Sequence, residues 1–353
     1  MALIEAERAA GQPAPSSPHE EKAVAFFGSW AIVGLYLDGW AHIHDKPETF
    51  FSPWHGVLYS GVGAAVAWFM FREYVLRKPS VISERLLTVG FTIFAVGAGL
   101  DFAWHEIFGI EVDLEALLSP THLMLLTGGT VMLSYPARAA AGRSSGRQTT
   151  FWRFFPILMS LTLTAGLVQF FTQYLSAFRF DGLWPTSGQD IWEIAVIAAV
   201  FVTNAIMLGA TFIAVRRWDT PFGAFTFMYA VLAFAFTGMF EFDVVLHVPA
   251  AAVAGLITDV LADRLRPSAE RRTHALVFAC LVPLAIWIPW LAAIHATEGV
   301  RWSVDLWAGT VYLAVLEGLG LGLLAFPRTS SVLVEVLPGA DVGDEPLYGE
   351  DQL

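Results

Sequence analysis

The stretch from Asp38 to His55, DGWAHIHDKPETFFSPWH, joins the end of one apolar segment, 23–44, to the start of the next, 53–77. Each segment has about the 20 residues that an α-helix needs to cross ~30 Å of hydrocarbon. Only helices and closed barrels satisfy all backbone hydrogen bonds in lipid, so both segments are predicted to be helices. The stretch is therefore predicted to be the turn of a transmembrane helical hairpin, which sets the pattern for the rest of the chain.

The composition of the whole chain favours a membrane protein. Of its 353 residues, 56% are hydrophobic and 15% are charged, whereas about a quarter of the residues in a soluble domain are charged. Ten apolar segments can be drawn, at 23–44, 53–77, 84–108, 119–138, 151–177, 190–216, 221–247, 249–265, 271–296 and 303–326. We therefore predict an all-α fold, a polytopic transmembrane bundle of about ten helices built as repeated hairpins.

Basic residues alternate between the connectors. The connectors after even-numbered segments are rich in arginine, for example Arg138, Arg143, Arg147 and Arg153 after the fourth, whereas the odd-numbered connectors are mainly acidic. The positive-inside rule then predicts cytoplasmic termini and an extracytoplasmic Asp38–His55 turn, in a plasma membrane of bacterial type. The predicted organisation is a flexible cytoplasmic tail (1–22), two hairpins (23–138), further hairpins (139–326) and an acidic cytoplasmic tail (327–353).

Two classes of function are excluded by charge and cysteine content. The net charge of -12 argues against nucleic acid as a partner, because phosphate binding requires clustered lysine and arginine. Cys280 is the only cysteine, so the chain has neither a disulfide framework nor a thiolate metal site. The lipid bilayer is the partner that the composition indicates.

Two groups of aspartate and histidine recur at the predicted outer turns. Residues four apart share one helical face, so Asp38 can meet His42, and Asp101 can meet His105. A further histidine follows Ser-Pro-x at the start of the next segment in both cases, at positions His55 and His122. Proline suits the first turn of a helix and would fix where that histidine projects.

Two histidines and one carboxylate are a ligand set for copper, zinc or ferrous iron. Ionisable residues at the rim of a span are costly, which favours a functional role, although a single one can simply be hydrated at the headgroup level. We therefore predict metal sites at Asp38, His42 and His55 and at Asp101, His105 and His122. Weaker candidates are Asp243 and His247, which repeat the D-x3-H spacing without a returning histidine, and His44, an alternative ligand or a surface residue.

The first group resembles the copper-binding motif of the C subunit of particulate methane and ammonia monooxygenases. The order is DGWAH, twelve residues and then His55, with Ser52-Pro53 just before the last ligand. That family's second motif, N-x3-H followed by P-x-H, is similar to the second group, with Asp101 in place of asparagine and a longer loop. The resemblance covers residues 22–138 and implies two copper sites, partner membrane subunits and copper-dependent oxidation of a small apolar substrate.

Two other functions are compatible with the same residues. The first is a transporter, chaperone or sensor that captures copper or zinc outside and passes it inward. Its candidate polar residues along a path through the membrane are Gln169, Gln173, Glu193, Glu241, Asp243, Asp259 and Glu317. The second is a structural membrane subunit whose metal triads are vestigial. The leading expectation remains a copper-binding subunit of an oxidation system.

Overall fold

The computed structural model describes residues 18–46, 49, 51–76, 82–109, 114–142, 150–185 and 190–328. The tails predicted at 1–22 and 327–353 lie almost entirely outside these residues. The secondary structure of the described part is helical. Its one β-type contact is an isolated bridge between Leu183 and Val300. This confirms the all-α helical bundle.

The long helices agree closely with the predicted segments, each of which contains a helix. In chain order, the α-helices are α1 (Pro18–Ile43), α2 (Pro53–Met70), α3 (Ile82–Phe108), α4 (Glu115–Leu118), α5 (Pro120–Leu133), α6 (Tyr135–Ala141), α7 (Phe151–Phe171), α8 (Ile191–Arg217), α9 (Ala224–Met239), α10 (His247–Leu265), α11 (Arg272–Ala296) and α12 (Val304–Ala325). The fourth predicted segment is divided into α5 and α6 at Ser134.

Six of these helices are long and apolar enough to cross a membrane on their own. They lie at His19–Ile43, Arg85–Phe108, Phe151–Phe171, Ile191–Arg217, Arg272–Ala296 and Val304–Ala325. The helices of the other four predicted spans are shorter than these six, with α2 at 18 residues, α5 at 14, α9 at 16 and α10 at 19. By length and composition, the described part of the chain therefore has six candidate spanning helices, as in a multi-pass membrane protein.

Consecutive helices pack against each other as hairpins: α1 on α2, α3 on α5, α9 on α10 and α11 on α12. The centre of the bundle is α7, which contacts α1, α5, α6, α8 and α9. In the most apolar 18-residue stretch of α7, 83% of the residues are buried. In the corresponding stretches of α3 and α12, only 28% and 22% of the residues are buried. Helix α3 consequently lies at the edge of the bundle and packs on α5, which in turn contacts α7.

The close approach of α3 and α5 depends on Gly128. A Cβ atom at this position would lie 2.6 Å from the backbone nitrogen of Phe94 and 2.9 Å from the carbonyl oxygen of Gly90. Real Cβ atoms do not come this near to backbone, so the two helices can be this close only because residue 128 has no side chain. Their crossing fixes how the C-terminal end of α3 faces the N-terminal end of α5.

The seventh predicted segment, 221–247, is not one continuous helix. α9 ends at Met239, and residues 240–246 form turns in which Glu241 and Phe242 have positive φ angles of 52° and 64°. The amide of Phe242 bonds to the carbonyl of Thr237, which closes the end of the helix. Asp243 therefore lies in a turn and His247 begins α10, so the predicted D-x3-H pair does not share a helical face.

Candidate metal centre

The second triad is assembled from the end of α3 and the start of α5. One ligand atom each from Asp101, His105 and His122 lies within 4.8 Å of the other two. The two carboxylate oxygens of Asp101 are divided between the histidines: Oδ2 is 3.4 Å from Nε2 of His105, and Oδ1 is 3.6 Å from Nε2 of His122. Among the described residues, this is the only such group whose ligand atoms converge.

The two carboxylate–imidazole distances are close to the ligand separation expected around an ion. Ligand atoms held about 2.1 Å from a tetrahedral ion lie about 3.4 Å from each other. The Asp101 side chain is 3% exposed, and those of His105 and His122 are 13% and 22% exposed. A buried carboxylate needs a compensating positive charge, and an ion between the three side chains would supply it. The group could therefore hold a metal.

The tautomer of His105 is set by the residue that ends α3. Gly109 has a φ of +85°, and its amide bonds to the carbonyl of His105. The carbonyl oxygen of Gly109 lies 3.3 Å from Nδ1 of His105, and because a carbonyl only accepts, this nitrogen carries the proton. Nε2, which lies 3.4 Å from Oδ2 of Asp101, is then the nitrogen that could coordinate an ion placed between the two side chains; without an ion, a protonated Nε2 donates to the carboxylate.

His122 is oriented by the N-cap of α5. Ser119 precedes Pro120 at the first helical position, and its hydroxyl accepts the amide of His122 at 3.3 Å and contacts Nδ1 of His122 at 2.7 Å. Thr121 in turn donates its hydroxyl hydrogen to Oδ1 of Asp101 at 2.7 Å. Polar partners behind the ligands fix ring orientation and tautomer in metal sites, and here they come from α5 itself.

Removing the Ser119 hydroxyl should weaken the second triad without removing any ligand. We expect Ser119→Ala to lower metal affinity about 10- to 100-fold, the usual effect of losing a group that hydrogen-bonds a ligand. The measurement is competition of the purified protein with a chelator of known affinity for copper or zinc. Thr127→Ala, on the exposed side of the same helix, is the matched control, and equal affinity in both variants would contradict this role of Ser119.

The first triad is more open. Oδ1 of Asp38 is 3.0 Å from Nε2 of His55, whereas Oδ2 is 3.9 Å from Nε2 of His42, whose side chain is 35% exposed. Asp38 thus contacts both histidines, as the spacing predicts, but the three ligand atoms do not all converge as they do in the second triad. Pro53 occupies the predicted position in the first turn of α2. Metal binding at this triad stays a prediction.

The weaker candidates have other partners. Nδ1 of His44 is 2.7 Å from the carbonyl oxygen of Trp40, and its Nε2 is 3.3 Å from Oε1 of Glu241, so His44 links α1 to the turn after α9. His247 is buried, and its Nε2 is 2.7 Å from the carbonyl oxygen of Phe180. Asp243 is exposed in the preceding turn. The structure does not bring these residues together as ligands.

An apolar cavity of about 80 Å³ lies between the two triads. Asp38 and His122 line it, so that it adjoins one ligand from each triad, and the rest of the wall is almost entirely apolar. Small residues on α1 and α2 leave this space, among them Gly28, Ala31, Gly61 and Ala65. Small residues at these positions on adjacent helices are the sequence signal for the cavity, which no predicted site residue indicated.

No protein family, curated protein or solved structure matches the chain. The structure nevertheless defines a class: a multi-pass helical membrane protein with an Asp/His/His group that could hold a metal. The resemblance of residues 22–138 to the C subunit of copper monooxygenases depends on the spacing of the two motifs, and it stays a prediction.

Proposed function

We propose that this chain is an integral membrane protein that binds copper at its two Asp/His/His triads and takes part in the oxidation of a small apolar substrate. The observation that carries the proposal is the convergence of Asp101, His105 and His122, with one carboxylate oxygen directed to each histidine. The resemblance of both motifs to those of copper membrane monooxygenases favours copper over zinc and iron.

The donor set is compatible with copper. Imidazole nitrogen suits copper, zinc and iron alike, and the chain has no cysteine near either triad that would favour a thiolate-bound metal. Each triad supplies three ligands, and a metal held by three ligands keeps room for a reacting molecule. When bound, copper supplies one-electron chemistry with dioxygen. The chain's own residues hold the ion, fix the imidazole tautomers and enclose an apolar space beside it.

The cavity supports a small apolar substrate. Its volume of about 80 Å³ compares with the ~30 Å³ that one water molecule occupies in the liquid, so it has room for a molecule of a few heavy atoms. An apolar wall offers few hydrogen-bond partners to water, which disfavours polar occupants. A molecule in this space would lie against Asp38 and His122.

The metal-transport alternative is less well supported, because two of the polar residues that would line a path across the membrane have structural partners. Asp259 accepts hydrogen bonds from the backbone amides of Phe225 and Thr226. Glu317 accepts one from the side-chain amide of Asn204. Both carboxylates thus join neighbouring helices, and neither belongs to a triad.

Metal content and oxygen consumption together test the proposal. Membranes and purified protein from copper-supplied cells are compared for wild type, Asp38→Ala and Asp101→Ala, with His274→Ala, an exposed histidine that bonds to the carbonyl of Leu265, as the control. We expect each aspartate variant to lose copper from its triad, the control to retain it, and copper-dependent oxygen consumption in membranes to fall with the copper content.

Other outcomes would assign a different function. Copper uptake into proteoliposomes without oxygen consumption would replace the proposal with metal transport. If purified wild-type protein retains no copper after copper supply, the remaining interpretation is a structural subunit with vestigial triads. Unchanged copper content in Asp101→Ala would remove the second triad as the binding site.

A further inference from the structure

A second cavity, of about 390 Å³, lies between α6, α7 and α8, and no residue of either triad lines it. Its walls are mainly small and apolar residues, such as Ala137, Ala165, Ala205 and Gly209. The volume falls within the range of about 300–1,000 Å³ that is usual for small-molecule sites. None of the predicted metal ligands lines this cavity.

The cavity is an elongated groove that follows α8. Ala205, Gly209, Ile213 and Arg217 all line it and are spaced four residues apart, so they form one stripe along the helix. Twelve residues of helix extend about 18 Å, close to the ~15 Å thickness of one leaflet of the hydrocarbon core. Ile213 is 51% exposed, so the groove opens sideways toward the lipid.

Two arginines, Arg138 and Arg217, lie at one end of this groove, and none of the described residues that line it is acidic. The guanidinium of Arg138 is fixed, because it donates to the hydroxyl of Ser134 and, at 2.8 Å, to the carbonyl of Val131. Its Nε is buried and has no hydrogen-bond partner in the described part of the chain. Trp218 lines the same end, and tryptophan favours the headgroup level of a bilayer.

We propose that this groove binds a phospholipid with an anionic head group, drawn from the leaflet on the arginine side. The two guanidinium groups hold the head group, and one acyl chain lies along the stripe of α8. Basic pockets between membrane helices are a recognised setting for anionic lipids.

The test is native mass spectrometry of the purified full chain in mild detergent. The protein is titrated with phosphatidylglycerol and, separately, with phosphatidylcholine of the same acyl chains. We expect tighter binding of phosphatidylglycerol, and we expect Arg217→Gln to weaken it about fivefold, the factor that corresponds to about 1 kcal/mol per arginine. Arg216→Gln, at an exposed neighbour that does not line the groove, should bind like wild type.

A second variant tests the acyl-chain part of the site. A Cβ atom added at Gly209 would meet no atom within 4 Å, so Gly209→Leu should fill the groove without disturbing α8. We expect this variant to bind both lipids more weakly than wild type. Gly320→Leu on α12, where an added Cβ also meets nothing within 4 Å, is the matched control and should leave binding unchanged.

Equal affinity of wild type for the two lipids would overturn the proposal, as would unchanged phosphatidylglycerol binding in both Arg217→Gln and Gly209→Leu. Circular dichroism and thermal melting establish that each variant is folded. If Gly209→Leu does not fold, Arg217→Gln alone decides, because its side chain is exposed. The site lies away from both triads, so the result is independent of metal binding.

Discussion

Gly128→Ala is expected to destabilise the protein and to weaken metal binding at the second triad. The added Cβ would lie 2.6 Å from the backbone nitrogen of Phe94 and 2.9 Å from its Cα atom. Backbone atoms cannot rotate aside, so α5 must move away from α3. Overpacking of this kind usually costs about 1–3 kcal/mol. The movement also separates His122, on α5, from the ligands on α3.

The matched control is Gly99→Ala on α3, where an added Cβ meets no atom within 4 Å. Detergent-based unfolding gives the change in stability, and chelator competition gives the metal affinity of both variants. We expect Gly99→Ala to match wild type in both measurements. If Gly128→Ala binds metal as tightly as Gly99→Ala does, the crossing of α3 and α5 does not set the geometry of the triad.

Asp259→Ala is expected to lower the free energy of unfolding by about 3 kcal/mol, because buried donors lose their acceptor. Asp259 is 3% exposed and accepts the amides of Phe225 and Thr226, each at 3.0 Å, together with the Thr226 hydroxyl at 2.6 Å. These groups form the first turn of α9, so the carboxylate from α10 caps a neighbouring helix.

Asp263→Ala, one turn further along α10 and exposed, is the control and should change stability by less than about 0.5 kcal/mol. Both variants are unfolded in parallel and tested for metal uptake in proteoliposomes. A loss of uptake in Asp259→Ala with unchanged stability would show that this carboxylate lies on a transport path and would support the transport alternative.

The helices and the second triad could be predicted from the sequence because both depend on short-range patterns. Apolar length defines a spanning helix, and the spacing from Asp101 to His105 is one helical turn. Ser119-Pro120 marked the start of the returning helix, and the structure places His122 at the start of α5 accordingly. These features needed no knowledge of which helices are neighbours.

The same spacing was misleading at Asp243 and His247, because it assumed that the helix continued. The chain closes α9 with the bond from the amide of Phe242 to Thr237, and no apolar pattern distinguishes this end from a continuing span. The contributions of Thr121 and Gly109 were also missed. Thr121 acts through a contact across the α3–α5 turn, and Gly109 acts through the backbone conformation just after α3, which apolar patterns do not indicate. Tertiary packing likewise determined both cavities.

If both triads bind metal as proposed, a guest molecule in the cavity that adjoins Asp38 and His122 would link them thermodynamically. If a guest molecule there changes the affinity of one triad for its ion by some factor, that ion changes the affinity for the guest by the same factor. The same reciprocity applies to the other triad, so an ion at one triad would change the affinity of the other triad for its ion through the guest. Metal titrations performed with and without a dissolved apolar gas would then differ at both sites, and the size of that difference would measure the coupling free energy.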